Sequence, residues 1–374
     1  MLNYIPVNQP IVSKEAKENV LNALESGWLS SVGPYVEKFE KAFATHLNCK
    51  HAITVNTGTA ALHISLLASG IQPGDEIIVP AFTMSSTWLA VLYVGAIPVF
   101  VDCEPETYNI NVPLIEEKIS SRTRAIIPVH IYGHPCDMAP LMKMAQKHQL
   151  IVIEDAAEAH GSQYKGLKCG SIGDINCFSF YANKLITTGE GGMVVTNNDL
   201  YATEARKLKD LYHSDDKRFV HEKIGFNYRM TNLQAAVGLG ELSHLDEYIA
   251  KKQQMANTYH RLLRAIDGLR LPITRSYAIN SFWMYSITID ENKFGMDKDS
   301  LRRKLKEIGI ETRDFFYPPT QQPIVTKFLI PQERFPVAEK ISSTGLYLPS
   351  GLAIDEKQIC TVCKAIRQFS SNHP

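Results

Sequence analysis

Between residues 51 and 156 short apolar runs rich in β-formers alternate with segments of helical apolar spacing, and this alternation limits the fold more than any other feature. "HAITV" (51–55) precedes "GTAALHISLLASG", "EIIVP" (76–80) precedes "SSTWLAVLYVGA", and "IPVFVD" (97–102) precedes "VPLIEEKI". "RAIIPVHIYG" (124–133) leads into "MAPLMKMAQKHQ", and "LIVIEDA" (150–156) closes the series. A strand-helix rhythm of this kind predicts an α/β fold with a mostly parallel sheet and helices on both faces. The unbroken apolar character of "RAIIPV" and "LIVIED" fits strands covered on two sides. "INCFSFY" and "GGMVVTN" read as two further strands with a lysine loop between them, for seven strands in all.

With 374 residues the chain is too long for one ordinary core, which predicts a large domain and a smaller one. A long helical pattern runs from Thr231 to Ile266, and the boundary is expected near Lys251, dividing residues 1–250 from residues 251–374. Beyond it, "WMYSITID" (283–290), "MDKDSLRRKLKEIG" (296–309) and "IETRDFF" (310–316) predict a small α+β domain, and "DEKQICTVCKAIRQF" a closing amphipathic helix. Lys+Arg and Asp+Glu both number 39, so nothing points to a nucleic-acid or acidic-membrane partner. The opening "MLNYIPVNQPIVSKEAKENV" lacks a basic segment followed by an apolar one, no apolar run is long enough for a membrane span, and the seven cysteines are scattered. A cytoplasmic protein without disulfides is expected.

In doubly wound sheets ligands bind where strands end and helices begin, and four such places carry reactive groups. "VNTGTAALH" sets Thr57, Gly58 and Thr59 at a strand-to-helix turn, where glycine permits close approach and a helix start favours phosphate; the same residues also serve as a plain helix cap. Asp155 in "IVIEDAAEAHG" ends an apolar strand, where a carboxylate requires a cation or strong donor, with Glu158 and His160 close behind. "FSFYANKLITTGEGG" places Lys184 five residues after Ser179, and "GFNYRMTNLQAA" presents Asn227 and Arg229 before a helix. A phosphate seat, a buried carboxylate and an isolated lysine together meet the needs of pyridoxal 5'-phosphate (PLP). The lysine would form a Schiff base, the aspartate would keep the pyridine nitrogen protonated, and the helix start would take the phosphate.

With these segments, and with "SGWLSSVGPYVEKFEKAFA", "GDEIIVPAFT" and "VHIYGHPCDM", the chain resembles over nearly its whole length the DegT/StrS sugar-nucleotide aminotransferases of the PLP-dependent aspartate aminotransferase fold. The resemblance implies Lys184 and Asp155 as catalytic residues, and Glu158 at the ring hydroxyl. It also implies Gly58, Thr59 and Ser179 at the phosphate, and Asn227 contributed by the neighbouring subunit of a homodimer with shared sites. Ser31, Arg229, Phe315, Phe316 and Tyr317 would lie near the sugar nucleotide. The implied reaction moves an amino group from L-glutamate to a nucleotide-linked 4-keto-6-deoxyhexose. GDP-4-keto-6-deoxymannose is favoured, dTDP-4-keto-6-deoxyglucose is the alternative, and surface-polysaccharide synthesis is the pathway. Two departures stand out. Met84 occupies a position where relatives usually stack an aromatic ring on the cofactor, with Trp88 one turn on and read as core; the members most resembled carry histidine where Thr320 stands.

Other features have plainer readings. Cys360 and Cys363 fall on one helix without a second ligand pair, so they are expected to pack, and His130 and His134 are expected near the site without a metal. "GEGG" (189–192) lacks nucleotide-loop spacing and is read as close backbone approach around the lysine. Related sugar dehydratases replace the lysine, commonly by histidine, so Lys184 argues against that chemistry. The Asp155–Lys184 pair argues against a non-enzymatic relative, and the missing dinucleotide fingerprint against a nicotinamide dehydrogenase.

Overall fold

The computed structural model describes residues 4–217 and 219–370. Helices α1 (Lys14–Glu25) and α2 (Pro34–Leu47) lead into the alternating region. There β1 (His51–Val55), α3 (Gly58–Ala68), β2 (Glu76–Pro80), α4 (Ser86–Tyr93), β3 (Ile97–Val101) and β4 (Thr123–Ile126) follow in order. After α5 (Met138–His148) and β5 (Ile151–Asp155) comes a small hairpin, β6 (Gln163–Tyr164) and β7 (Leu167–Lys168), then β8 (Ile175–Ser179) and β9 (Gly192–Thr196).

Seven of these strands form one sheet in the order β1-β9-β8-β5-β4-β2-β3. Every neighbouring pair is parallel except those made by β9, which runs antiparallel to both β1 and β8. The reversal brings the start of β9 to the same edge as the ends of β1, β5 and β8. Strands β2, β8 and β9 are buried at every residue, as their continuous apolar sequences predict. Helix α3 is apolar on nearly every side because it is embedded: all but three of its residues are buried. Among the described residues no helix is long and apolar enough to cross a membrane.

Three expected elements come out differently. The 124–133 run stays strand only to Ile126; Pro128 has no N–H to continue a ladder, and residues Ile131–Gly133 make a 3-10 turn with Tyr132 at φ 55°. "VPLIEEKI" forms two 3-10 turns, Val112–Leu114 and Glu116–Lys118, in place of a helix. The helical stretch from Thr231 is two helices, α7 (Asn232–Leu242) and α8 (Leu245–Leu263), after α6 (Asp199–Lys209). At the break Ser243 Oγ donates back to Gly240 O at 2.7 Å, and the His244 ring is drawn to Glu15 at 2.7 Å. A serine bonding to a preceding carbonyl is a known disturbance of a helix ladder.

Beyond α8 lie β10 (Leu269–Arg270), β11 (Ala278–Ile279), β12 (Tyr285–Ile289), α9 (Glu291–Phe294), α10 (Lys298–Glu307) and β13 (Arg313–Asp314). They are followed by α11 (Pro336–Thr344), β14 (Gly345–Leu348) and α12 (Glu356–Phe369). Strands β10-β12-β14-β13 form an antiparallel sheet, while β11 joins the hairpin of β6 and β7. A separate hydrophobic cluster unites β12 and β14 with α8 from Met255 onward, α10 and α12, and takes in Ile5 from the other end of the chain. Cys363 packs into this cluster. The closing helix begins with a capping box, Asp355 accepting from Gln358 N at 2.7 Å while the Gln358 side chain accepts from Asp355 N at 3.1 Å.

Candidate active site

A cleft of about 750 Å³ opens at the carboxyl edge of the large sheet and is closed from the other side by β13 and the loop after it. Most of the residues singled out in the sequence line it: Thr57, Gly58, Thr59, Met84, Asp155, Glu158, Ser179, Lys184, Phe315, Phe316 and Tyr317.

One end is built by the first turn of α3. Thr57 caps the helix, its Oγ1 accepting from Ala60 N at 3.0 Å, and the Thr59 hydroxyl donates to Ser86 Oγ at 2.9 Å. Ser179, the last residue of β8, is pressed against Gly58 so closely that a Cβ at position 58 would lie 2.7 Å from the Ser179 Cβ. The start of β9 is as tight: a Cβ on Gly192 would meet Thr57 O at 2.3 Å. In the "GEGG" segment, read as close approach around the lysine, the close backbone approach is that of Gly192 to the α3 start, while a Cβ at Gly189 would meet nothing within 4 Å. A helix start flanked by hydroxyls and free of side-chain bulk is a seat for a phosphate.

Asp155 terminates β5 and is buried. Its Oδ2 accepts from Thr87 Oγ1 at 3.0 Å and its Oδ1 from Ala157 N at 3.2 Å, while Thr83 and Thr87 hydroxyls are 3.0 Å apart. Burial pushes the carboxyl up from its usual range, against the pull of the Ala157 N–H, the Thr87 hydroxyl, Lys184 and His130. Glu158 is buried beside it, and Oε2 accepts from Tyr132 N at 2.8 Å. Burial raises it to about 7, with Lys184 and the Tyr132 N–H pulling down and Asp155 adding to the rise. Tyr132, which donates that N–H, adopts a left-handed conformation at φ 55°.

Lys184 sits half-buried in the loop between β8 and β9, its N–H donating to Tyr181 O at 2.8 Å. Its Nζ lies 3.8 Å from the centroid of the Trp283 ring, and no salt bridge holds it among the described residues. Burial lowers this amine, while the charges of Glu158 and Asp155 raise it. The cleft thus holds one lysine with two buried carboxylates in its field. For a heterocyclic aldehyde bearing a phosphate, such as PLP, the donor set fits: an amine, a carboxylate for a ring nitrogen, and a glycine-lined helix start for the phosphate.

Ser31, Asn227 and Arg229 do not line this cleft. Asn227 is exposed, and its Oδ1 accepts from Arg229 Nε at 3.0 Å and Nη2 at 2.9 Å, while Arg229 pairs with Asp210 at 2.8 Å. Met84 lines the cleft and is 48% exposed, so its side chain lies open to the space; Trp88 is core, as read. Thr320 faces away, donating to Glu339 Oε1 at 3.0 Å, and Gln322 lines the cleft instead. His160 is buried against Phe178 and Phe180 with neither ring nitrogen bonded, and burial drives it down to about 3. His130 bonds Glu154 at 2.7 Å beneath the sheet. Sequence reasoning missed Thr87, Tyr132, Trp283, Arg313 and Tyr347. The hydroxyl-rich "FTMSST" was the one available signal for Thr87.

Fold and cleft together define an enzyme of the transaminase type. Residues 10–367 match the DegT/DnrJ/EryC1/StrS aminotransferase family, and the chain belongs to that family. It is 40% identical over 371 residues to GDP-perosamine synthase of Escherichia coli O157:H7, covering 99% of this chain and 100% of the relative. It is 41% identical over 365 residues to GDP-perosamine synthase of Caulobacter vibrioides, covering 97% and 98% respectively. Among solved structures it resembles S. venezuelae DesV with a TM-score of 0.90, 33% identity and coverage of 98% of this chain and 100% of DesV. DesI, solved in the presence of its TDP-sugar product, matches with a TM-score of 0.91, 29% identity and coverage of 100% and 94%. Family and structural neighbours are PLP-dependent aminotransferases.

Proposed function

We propose that this chain is a PLP-dependent sugar-nucleotide aminotransferase, transferring an amino group from L-glutamate to the ketone of GDP-4-keto-6-deoxymannose to give GDP-perosamine. The observation that carries the reading is the meeting of Lys184, Asp155 and the α3 start in one cleft. Its substrate part is supported by the likeness to GDP-perosamine synthases at 38 to 41% identity.

Lys184 would hold the cofactor covalently, Asp155 its ring nitrogen, Glu158 the ring-hydroxyl side, and Thr57, Gly58, Thr59 and Ser179 the phosphate. When bound, PLP supplies an electron sink for the pair left behind as a proton leaves carbon. Asp155 would keep the ring nitrogen it faces protonated, because burial still raises its carboxyl despite two donors and a cationic partner offsets that cost. Once the substrate's amine displaces it from the cofactor, Lys184, its amine lowered by burial, would take a proton from carbon at Nζ and return it there. The Trp283 and Tyr347 rings wall this end of the cleft and keep bulk water from that transfer. Phe315 and Phe316, packed against Tyr347, and Tyr317 would extend this wall toward the sugar nucleotide. Asn227, exposed, and Arg229, half-buried, both outside the cleft of their own chain, would complete the neighbouring site of a cytoplasmic homodimer, with Ser31 near the substrate. The division into residues 1–250 and 251–374 would set the cleft between two domains.

A second reading, dTDP-4-keto-6-deoxyglucose as substrate, is supported by the likeness to DesI, solved in the presence of its TDP-sugar product. Mass spectrometry of products after offering GDP- and dTDP-linked 4-keto sugars with glutamate separates the two. A GDP-linked amino sugar is expected; a dTDP-linked product alone supports the second reading, and amination of neither overturns the substrate class.

A further inference from the structure

Lys252 is a buried lysine that the proposed chemistry does not use. It lies on α8 with 2% of its surface exposed, and its Nζ donates to Trp283 O at 2.9 Å and to Ser350 O. Among the described residues no carboxylate is bonded to it. Beside the small cavity at this point the charged neighbours are Lys251 on its own helix and Glu356 on α12, which is paired with Arg261 at 3.0 Å. A buried ammonium without a counter-ion is expensive, and burial brings this one down to about 7. Such a residue needs a return in positioning.

Its two carbonyl partners differ in what they are tied to. Ser350 belongs to the frame: its N–H donates to Val7 O at 2.8 Å, and its Oγ accepts from Tyr285 N at 2.9 Å. Trp283 belongs to the cleft. Its Nε1–H donates to Asn183 O at 2.7 Å, where Asn8 Nδ2 also donates at 3.2 Å, and its ring lies under Lys184 Nζ at 3.8 Å. One side chain therefore ties the carbonyl of the tryptophan that touches the lysine to the end of β14, the strand paired with β12 just after Trp283.

We propose that Lys252 is a positioning residue for Lys184, acting by holding the Trp283 carbonyl so that the indole face stays against the Lys184 amine. This rests on the reading of Lys184 as the cofactor's lysine. A π face favours the ammonium form. Freeing the indole therefore makes Lys184 easier to deprotonate, an effect a purely structural strut would not have.

The test uses the full-length chain freed of cofactor. Capture of PLP is stopped with borohydride and scored by mass spectrometry on the peptide carrying Lys184, and the pH midpoint of the capture rate is compared across variants. Lys252→Met is expected to lower the midpoint by about half a unit to one and a half units, the span of an aromatic–cation contact. Trp283→Ala lowers it similarly, and Lys252→Met adds nothing further in the Trp283→Ala background. An unchanged midpoint in Lys252→Met, or an equal shift in both backgrounds, overturns the inference. If the Met variant loses its cooperative thermal transition, Lys252→Gln decides by the same criterion. Wild-type protein that captures no PLP at Lys184 overturns the parent reading instead.

Discussion

The hydroxyl of Thr87 donates to Oδ2 of Asp155 at 3.0 Å, joining residues 68 positions apart through the packing of α4 on the end of β5. Because Thr87 is fully buried, no water can take its place without a rearrangement. Replacing it with Val keeps the shape and removes the donor. Asp155 would then keep only the Ala157 N–H, and its carboxyl would rise further. Thr87→Val is expected to lower kcat about tenfold at neutral pH while costing about 1 kcal/mol of stability. Steady-state kinetics and urea denaturation of the same sample check both.

Asp155→Asn keeps the volume and removes the charge. Cofactor should still bind through Lys184 and the α3 start, but turnover should fall by about 10²- to 10³-fold. Single-turnover kinetics with a fully loaded variant measures this; turnover equal to wild type removes Asp155 from the chemistry.

Gly58→Ala probes the phosphate seat. The new methyl would stand 2.7 Å from the Ser179 Cβ, closer than such atoms approach, so β8 and α3 must separate. A loss of about 1 to 3 kcal/mol in stability is expected, together with weaker PLP binding measured by titration of the absorbance. Ser179→Gly in the same chain should recover part of both.

Glu158 gives a pH signature in the chain without cofactor. Its carboxyl is raised by burial to about 7 from an ordinary 4.5, so the folded protein binds more protons than the unfolded one between those values. Stability from this group is present below pH 4.5 and is lost as pH rises through 7, by about 3 kcal/mol if the shift acts alone. Asp155, raised in the same way, adds to the slope. Glu158→Gln should flatten it, which denaturation at pH 5 and pH 7.5 would reveal.

Much of this site was legible because its pieces sit at strand ends that apolar sequences announce. Thr57 to Thr59, Asp155, Ser179 and Lys184 each follow such a run, and the parallel order of β1, β5 and β8 then brings them to one edge. What was not legible depends on packing between distant segments. Trp283 supports the loop of Lys184 from 100 residues beyond Asn183, and nothing in "SFWMYS" marks it as more than the start of a strand. At the helix break Ser243 bonds back to Gly240 O and His244 meets Glu15 from the far end of the chain, a partner that local periodicity does not contain. The turn at Tyr132 that delivers an N–H to Glu158 was hidden for another reason: the apolar "IIPVHIYG" reads as strand although Pro128 ends the ladder.

The central claim is that the Lys184 amine holds the cofactor covalently. Borohydride reduction of the loaded protein, followed by proteolysis and mass spectrometry, tests it most directly. The prediction is one phosphopyridoxyl group on the peptide containing Lys184 and none in Lys184→Ala. A loaded protein that yields no such adduct, or yields it on a different lysine, would contradict the account.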